Sequence, residues 1–294
     1  MASLREIKDR VTSVKSTRKI TSAMKMVASS KLRKAQNRIA GFLPYSDKLN
    51  SILSNLLSSD TSFDTSLAKE REVKRVAIVA VSSNSSLCGA FNANVIKKFR
   101  AIYAGYVSKV GKDNILVYPI GKKIYDAAKK QGVKAQGDYQ QMLDKTSYDD
   151  VAALANELIT KYLDGEVDKV ILVYHHFKST ASQILTESTY LPVDLESMQN
   201  KEEAASGYQS DYIMEPSREE ILAALIPKVL ISRLYAAILD SIASEHAART
   251  MAMQIATDNA DDLIQELTVQ YNKSRQQAIT NELIDIIGGA AALN

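Results

Sequence analysis

The 294-residue sequence predicts an α/β protein of a particular kind: a small α/β module inserted between two very long helices that close as an antiparallel coiled coil. Three patterns carry that prediction. From Ser217 to Leu293, small or apolar residues recur at three- and four-residue steps (Ile231, Leu234, Ile238, Ile242, Ala252, Ala256, Ala260, Leu263, Leu267, Ala278, Leu283, Ile286), with no glycine before Gly288. Residues 3–57 show a comparable stripe with the opposite charge. Between the two, short β-type runs alternate with helical ones, as in an open sheet with a parallel core. The divisions read as an N-terminal helix over 1–57, a linker over 58–72, an α/β domain over 73–200, a mobile connection over 201–216 and a C-terminal helix over 217–294.

Leu4, Ile7, Val11 and Val14 open the first helix with heptad spacing. At the next seam positions stand Arg18, Thr21 and Lys25, whereas the apolar Ile20, Met24 and Val27 come one position earlier. One position is about 100° around a helix, so the middle of this helix is expected to be contacted on more than one side. Gly41 and Pro44 predict a weak point or bend before Leu49, Ile52, Leu53, Leu56 and Leu57 resume the pattern. An ordinary bundle helix would satisfy the same pattern as a dedicated shaft.

Ser58–Ser66 is a polar linker. Val73–Val81 reads as a buried strand, followed by the loop Ser82–Ser86 and a helix from Leu87 or Phe91 to Tyr103. Asn114–Ile120 is a strand, Lys122–Gln131 and Tyr148–Leu163 are helices, and Lys169–Phe177 is a third core strand. Gln183–Val193, with Pro192 near its end, suits an edge strand. Asn200–Met214 is polar and reads as a loop. The last helix opens on Ser217, with Glu220 at capping-box spacing, and Pro227 marks either a kink or a later start. Roughly 70 helical residues span about 100 Å, which no small domain can enclose. Such a stripe needs a partner helix and a partner protein.

Lys and Arg number 37 against 34 Asp and Glu, so the net charge of +3 does not point to nucleic acid. Its distribution is more informative. Met1–Ser59 holds twelve basic and three acidic residues, and the helix from Arg218 holds six basic and ten acidic, so the two ends complement each other. The single Cys88 rules out an intramolecular disulfide and suits a reducing compartment. Glu6 and Asp9 argue against a secretory or transit leader. The most apolar run, Ile221–Ile231, contains Pro227 and Lys228 and falls short of a membrane span, for which about 18 to 20 residues are needed.

Candidate chemistry is sparse. The loop Ser82–Asn94 lies where an α/β sheet keeps its ligand site, yet the chain has no G-x-G-x-x-G and no G-x-x-x-x-G-K-[ST]; Gly105–Lys112 comes nearest and does not fit. Cys88 would need a base. Of the three histidines, His175 and His176 are adjacent on a strand and point to opposite faces, and His246 sits in the long helix as a packed or solvated group. The basic N-terminal helix lacks the interleaved aromatics of a nucleic-acid binder and the large apolar residues of a membrane-surface helix, so an acidic protein partner fits it best. A stand-alone α/β enzyme or nucleotide-binding protein with a helical dimerisation arm is the other class open to this composition.

Several runs carry a resemblance. They are Lys19-Ile-Thr-Ser-Ala-Met-Lys-Met-Val-Ala-Ser-Ser-Lys-Leu-Arg-Lys-Ala35, the loop Leu87-Cys88-Gly89, Ser244-Glu-His-Ala-Ala-Arg-Thr-Met-Ala-Met253, Thr257-Asp258-Asn259, and Tyr271-Asn-Lys-Ser-Arg-Gln-Gln-Ala-Ile-Thr-Asn-Glu-Leu283. Together, over the full length, they resemble the gamma-subunit family of the F-type ATP synthases. The resemblance implies a Rossmann-like inserted domain and a non-catalytic central rotor shaft without a cofactor or metal of its own. It also implies alpha and beta subunits around the shaft, an epsilon subunit and the c-ring at the foot, and a peripheral place on the cytoplasmic face of a bacterial inner membrane.

Carried onto this sequence, the resemblance implies beta-subunit contacts at Met24, Lys25, Arg33, Arg249, Arg275, Gln276, Thr280 and Glu282. It implies a bearing tip at Gly288, Gly289, Ala290, Ala291 and Leu293, and a head loop with Asn84, Leu87, Cys88 and Gly89. The family's usual Asp-Arg-Gly before Leu-Cys-Gly is here Asn84-Ser85-Ser86, which removes the loop's charges. With no cysteine pair in the head, thiol regulation is not expected.

Overall fold

The computed structural model describes residues 4–58, 66–194 and 214–292. Its elements are α1 (Leu4–Ser58), β1 (Val76–Val81), α2 (Phe91–Val110), β2 (Ile115–Ile120), α3 (Lys122–Lys130), α4 (Tyr148–Leu163), β3 (Lys169–Phe177), β4 (Gln183–Leu191) and α5 (Arg218–Ala292). The residues fall into two compact units, one of Ser30–Ala248 and one of the chain up to Ser29 with Arg249 onward.

In the larger unit four strands lie in the order β2-β1-β3-β4. β1 pairs in parallel with β2 and β3, and β4 runs antiparallel to β3 at the edge. Every residue of β1 is buried, as a central parallel strand covered on both faces must be. On one face Val76, Ile78 and Ala80 meet Val95, Phe99 and Ile102 of α2 and Ile124 and Ala128 of α3. On the other, Ala77, Val79 and Val81 join a larger core with α4, with Leu53, Leu56 and Leu57 of α1, and with Leu222, Ile226, Leu230, Leu234 and Ile238 of α5.

α4 and β3 have the bounds the pattern predicts. α2 runs past Tyr103 because Tyr106, Val107 and Val110 keep packing on the sheet, and that burial outweighs the cost of Gly105. β1 starts at Val76 and not Val73, since the Lys74 and Arg75 amides donate to Asp168 Oδ2 (2.9 and 2.8 Å) instead of to a strand. β4 ends before Pro192, and the Val193 amide turns to the Leu67 carbonyl (2.8 Å). Neither long helix is broken at its proline. Pro44 and Pro227 leave the carbonyls of Ala40 and Ala223 without an amide donor, and both residues are exposed, so water can take the place of the missing bond. Phe42 on α1 packs edge-on to Tyr235 of α5 (4.8 Å between centroids), and Tyr235 meets Tyr148 of α4 (5.4 Å), which pins the Gly41–Pro44 stretch. At the start of α5 Ser217 Oγ accepts from the Glu220 amide (3.3 Å), as the cap spacing predicts. Residues 201–213 of the connection expected over 201–216, and most of the linker from Ser58 to Ser66, lie outside the described residues.

One expectation is corrected. An 18-residue window of α5 has mean hydropathy 1.8, which by length and composition suffices to cross a membrane, so the apolar stretch is longer than Ile221–Ile231 alone suggests. Half of that window is buried inside the fold, and its fully buried Leu222, Leu230, Leu234 and Ile238 belong to the core described above. The hydrophobicity is that of a core helix.

Two features of the sheet allow tests. Gly121, between β2 and α3, has φ +101°, and a Cβ there would come within 2.5 Å of the Ser82 carbonyl oxygen. Gly121→Ala should therefore cost at least ~2 kcal/mol of unfolding free energy, measured by denaturant titration of the purified chain. His175 on β3 is 2% exposed, stacks on Phe91 (4.3 Å) and has its Nδ1 without a hydrogen-bond partner among the described residues. Burial lowers its pKa from 6.5 to about 4. The fold thus holds the neutral ring, and this contribution is complete above pH 6.5 and is lost as the pH falls toward 4. Stability should drop by up to about 2 kcal/mol between pH 6.5 and 5, and His175→Phe should flatten that slope in thermal melts across the range.

Candidate functional site

In the smaller unit, α1 and α5 meet along a seam with buried Ile7, Thr21 and Ala28 on one side and Met253, Ala260 and Leu267 on the other. Within each set the spacings are seven residues or twice seven, the heptad of a left-handed pair. The conflict in the α1 pattern is resolved here. The seam keeps its spacing and is filled by polar residues, while Ile20, Met26 and Val27 are about 60% exposed outside it.

The polar stretch has a definite bonding order. Arg18 forms an ion pair with Asp261, both side chains about half exposed. The hydroxyls of Thr21 and Thr257 lie 2.8 Å apart. Each is also within reach of a carbonyl in its own helix, Thr21 of Arg18 (3.0 Å) and Thr257 of Met253 (2.8 Å). A hydroxyl has one proton, so one of the two gives up its own-helix bond to make the cross-helix one. Lys25 Nζ donates to Gln254 Oε1, and Gln254 Nε2 donates to Asp258 Oδ1 at 2.7 Å.

Of the expected contact residues, Met24 and Lys25 are half-buried, and Lys25 is engaged across the seam. Arg249 is 9% exposed, Arg33 is exposed, and Arg275, Gln276, Thr280 and Glu282 all lie in water on the far part of α5. After Leu267 no described side chain is buried, and Ile279, Leu283, Ile284, Ile286 and Ile287 are about half to two-thirds exposed. α5 continues helically through Gly288 and Gly289 to Ala292, with nothing within 4 Å of a Cβ built at either glycine. The side chains of Ala290 and Ala291 are not described, and Leu293 lies outside the described residues. The sequence reading gave Gln254, Thr257, Asp258 and Asp261 no role in a site, Thr257 and Asp258 entering it only within a run that carries the resemblance. Only the seven-residue step from Met253 to Ala260 could have brought them to the seam.

The larger unit contains the head loop, and it is closed on itself. Where α3 begins, the Lys122 amide donates to Asn84 Oδ1 (3.0 Å), the Lys123 amide to the Ser83 carbonyl (3.1 Å) and the Ile124 amide to Ser82 Oγ (2.9 Å). Those amides are the donors a phosphate would need, and the protein has already used them. Asn84 Nδ2 binds the Gln140 carbonyl (2.9 Å) and Asp144 (3.2 Å), so the residue that replaces an acid acts as a cap and a strap. Leu87 has φ +67° and is 59% exposed, and Gly89 follows at φ +57°. Cys88 is buried, and its sulfur meets Asn92 Nδ2 (3.1 Å), Ser83 Oγ (3.8 Å) and the Ser85 carbonyl (3.9 Å), none of them a base. His175 and His176 take opposite faces, the first buried and the second pairing through Nδ1 with Asp240 (2.6 Å). Burial raises the pKa of Asp240, and the bond from His176 lowers it by less. Among the described residues no group of three His, Cys, Asp or Glu is placed to hold a metal ion. A cleft of about 260 Å³ brings Lys31, Lys34 and Arg38 of α1 opposite Asn84 and Ser85, with Asp144 and Glu245 also on its wall.

Known proteins share this arrangement. A family model described as ATP synthase matches residues 3–293. The ATP synthase gamma chain of Bacteroides fragilis is 60% identical over 292 residues, covering 99% of this chain and all of the relative. That of Flavobacterium johnsoniae is 46% identical over the full length of both. Among solved structures, a chain of the Euglena gracilis mitochondrial ATP synthase (OSCP/F1/c-ring) superposes with TM-score 0.62 at 21% identity, over 99% of this chain and 94% of its own. A chain from the Tetrahymena thermophila mitochondrial ATP synthase central stalk and c-ring gives 0.56 at 22% identity, over 81% of this chain and 99% of its own. With the paired terminal helices, the inserted sheet and identity of this extent, the chain belongs to the ATP synthase gamma chain family.

Proposed function

We propose that the chain is the central rotor shaft of an F-type ATP synthase, coupling proton-driven rotation of a membrane ring to ATP synthesis at the beta subunits of an alpha/beta hexamer. The observation that carries this reading is the far part of α5, where a helix with five exposed leucine and isoleucine residues continues beyond Leu267 with no covering from the described residues. Such a surface is stable in water only inside a sleeve supplied by other subunits. The chain itself is non-catalytic, and its coiled-coil domain comprises 1–57 and 217–294 around an inserted domain of 73–200.

In this reading Met24, Lys25, Arg33 and Arg249 lie at the level of an acidic beta-subunit lever, and Arg275, Gln276, Thr280 and Glu282 touch beta loops higher in the hexamer. Exposed ion pairs are worth only about 0 to 1 kcal/mol, which suits contacts that must be exchanged at every step of rotation. The glycines and alanines from Gly288 onward offer little side-chain hydrogen bonding and serve as the bearing tip. The head contacts an epsilon subunit and the c-ring, and the protein is peripheral on the cytoplasmic face of the bacterial inner membrane. The named assemblies of the solved neighbours, F1 with its c-ring and a central stalk with its c-ring, support these partners. A nucleotide-binding role for the head is disfavoured by the occupied amides at the start of α3.

Reconstitution with alpha and beta subunits tests the proposal: steady ATP hydrolysis should depend on this chain, and equal activity without it would refute the shaft reading. Arg275→Ala combined with Gln276→Ala removes two contacts of up to ~1 kcal/mol each, so turnover should fall by up to about thirtyfold. The same double variant should stay with the hexamer on a sizing column, because the rest of the shaft is unchanged.

A further inference from the structure

We infer that Lys25, Gln254 and Asp258 form a positioning relay that fixes how α1 is turned against α5 beside Met24, and that coupling between rotation and proton movement depends on it. This rests on the rotor-shaft reading and adds to it residues on α5 that contact no other subunit in the argument. In the seam from Arg18 to Lys25 no large aliphatic residue of α1 is buried, so the relative rotation of the two helices there is set by directional bonds. Polar groups at seam positions specify register and orientation at a cost in stability.

The relay has a single chemical order. An ammonium has donors only and a carboxylate acceptors only, so the Gln254 amide must point its oxygen at Lys25 and its nitrogen at Asp258, as it does. Lys25 is thereby drawn across the seam, and its neighbour Met24 is left half-buried about 100° away around α1. Breaking the relay frees α1 to turn, and the face carrying Met24 turns with it. The Thr21–Thr257 bond one turn below limits this movement and does not replace the relay, since either hydroxyl has an alternative acceptor in its own helix.

The test uses the complete ATP synthase in proteoliposomes, with ATP-driven proton uptake and ATP hydrolysis measured on the same vesicles. Gln254→Ala and Lys25→Ala should each lower protons moved per ATP by about threefold, and the double variant should be no worse than either alone, the non-additivity of residues acting as a unit. Exchange of the pair, Lys25→Gln with Gln254→Lys, should restore the ratio, because a lysine at 254 can reach Asp258 one turn on while a glutamine at 25 accepts from it. Wild-type ratios in the single variants, additive losses in the double variant, or failure of the exchanged pair would each overturn the inference. Absence of any proton uptake with the wild-type chain would instead refute the rotor reading itself.

Discussion

A helix of 75 residues has far more side-chain surface than a 294-residue chain can cover, and the rest of the structure follows from how that surface is shared out. The first third of α5 is buried in the core of the inserted unit, where Leu222 to Ile238 meet the sheet, α4 and the end of α1. The middle is covered on one side only, by a seam that is partly polar. In the last third no described side chain is buried. Hydrophobic burial near ~25 cal/mol per Å² therefore anchors one end firmly and contributes progressively less along the helix. That gradient gives a part fixed in its own domain at one end and adaptable to its surroundings at the other.

The inserted unit is organised to support that anchor. Its sheet presents one face to α2 and α3 and the other to the long helices, so each strand of the parallel core is covered twice. The crevice at the ends of β1 and β2, where proteins of this architecture commonly hold phosphates, is filled by Ser82, Ser83 and Asn84. The Asn84-Ser85-Ser86 sequence thus exchanges charge for hydrogen bonds that tie the loop to α3 and to Gln140.

Most of the architecture was legible in the sequence because burial is periodic. β3 and α4 are bounded by polar residues and come out as the pattern predicts, and the parallel core follows from the alternation of elements, while the direction of the edge strand, antiparallel to β3, was not read. A boundary failed where tertiary packing outweighed local preference, since α2 runs through Gly105; α1 has the expected span and continues through Gly41 and Pro44, where a weak point or bend was expected. The seam was the hardest to see. Arg18, Thr21 and Lys25 look like surface residues, and their seam role depends on Asp261, Thr257 and Gln254, more than 220 residues away in the chain. The resemblance supplied the expected contact positions on α5, but it gave no hint that Lys25 would be turned toward its own partner helix.

The order of the elements along the chain has a consequence for biosynthesis. α1 leaves the ribosome before its seam partner, with roughly 160 residues between the end of one and the start of the other, which at translation rates of about 5–20 residues per second is a wait of ~10–30 s. During that interval the leading helix is exposed without its mate. A seam built from Arg18, Thr21 and Lys25 tolerates solvent, whereas a continuous leucine seam would offer a sticky surface to every neighbouring nascent chain. The polar stretch is thus also a safeguard for a protein whose two halves of one coiled coil are made far apart in time.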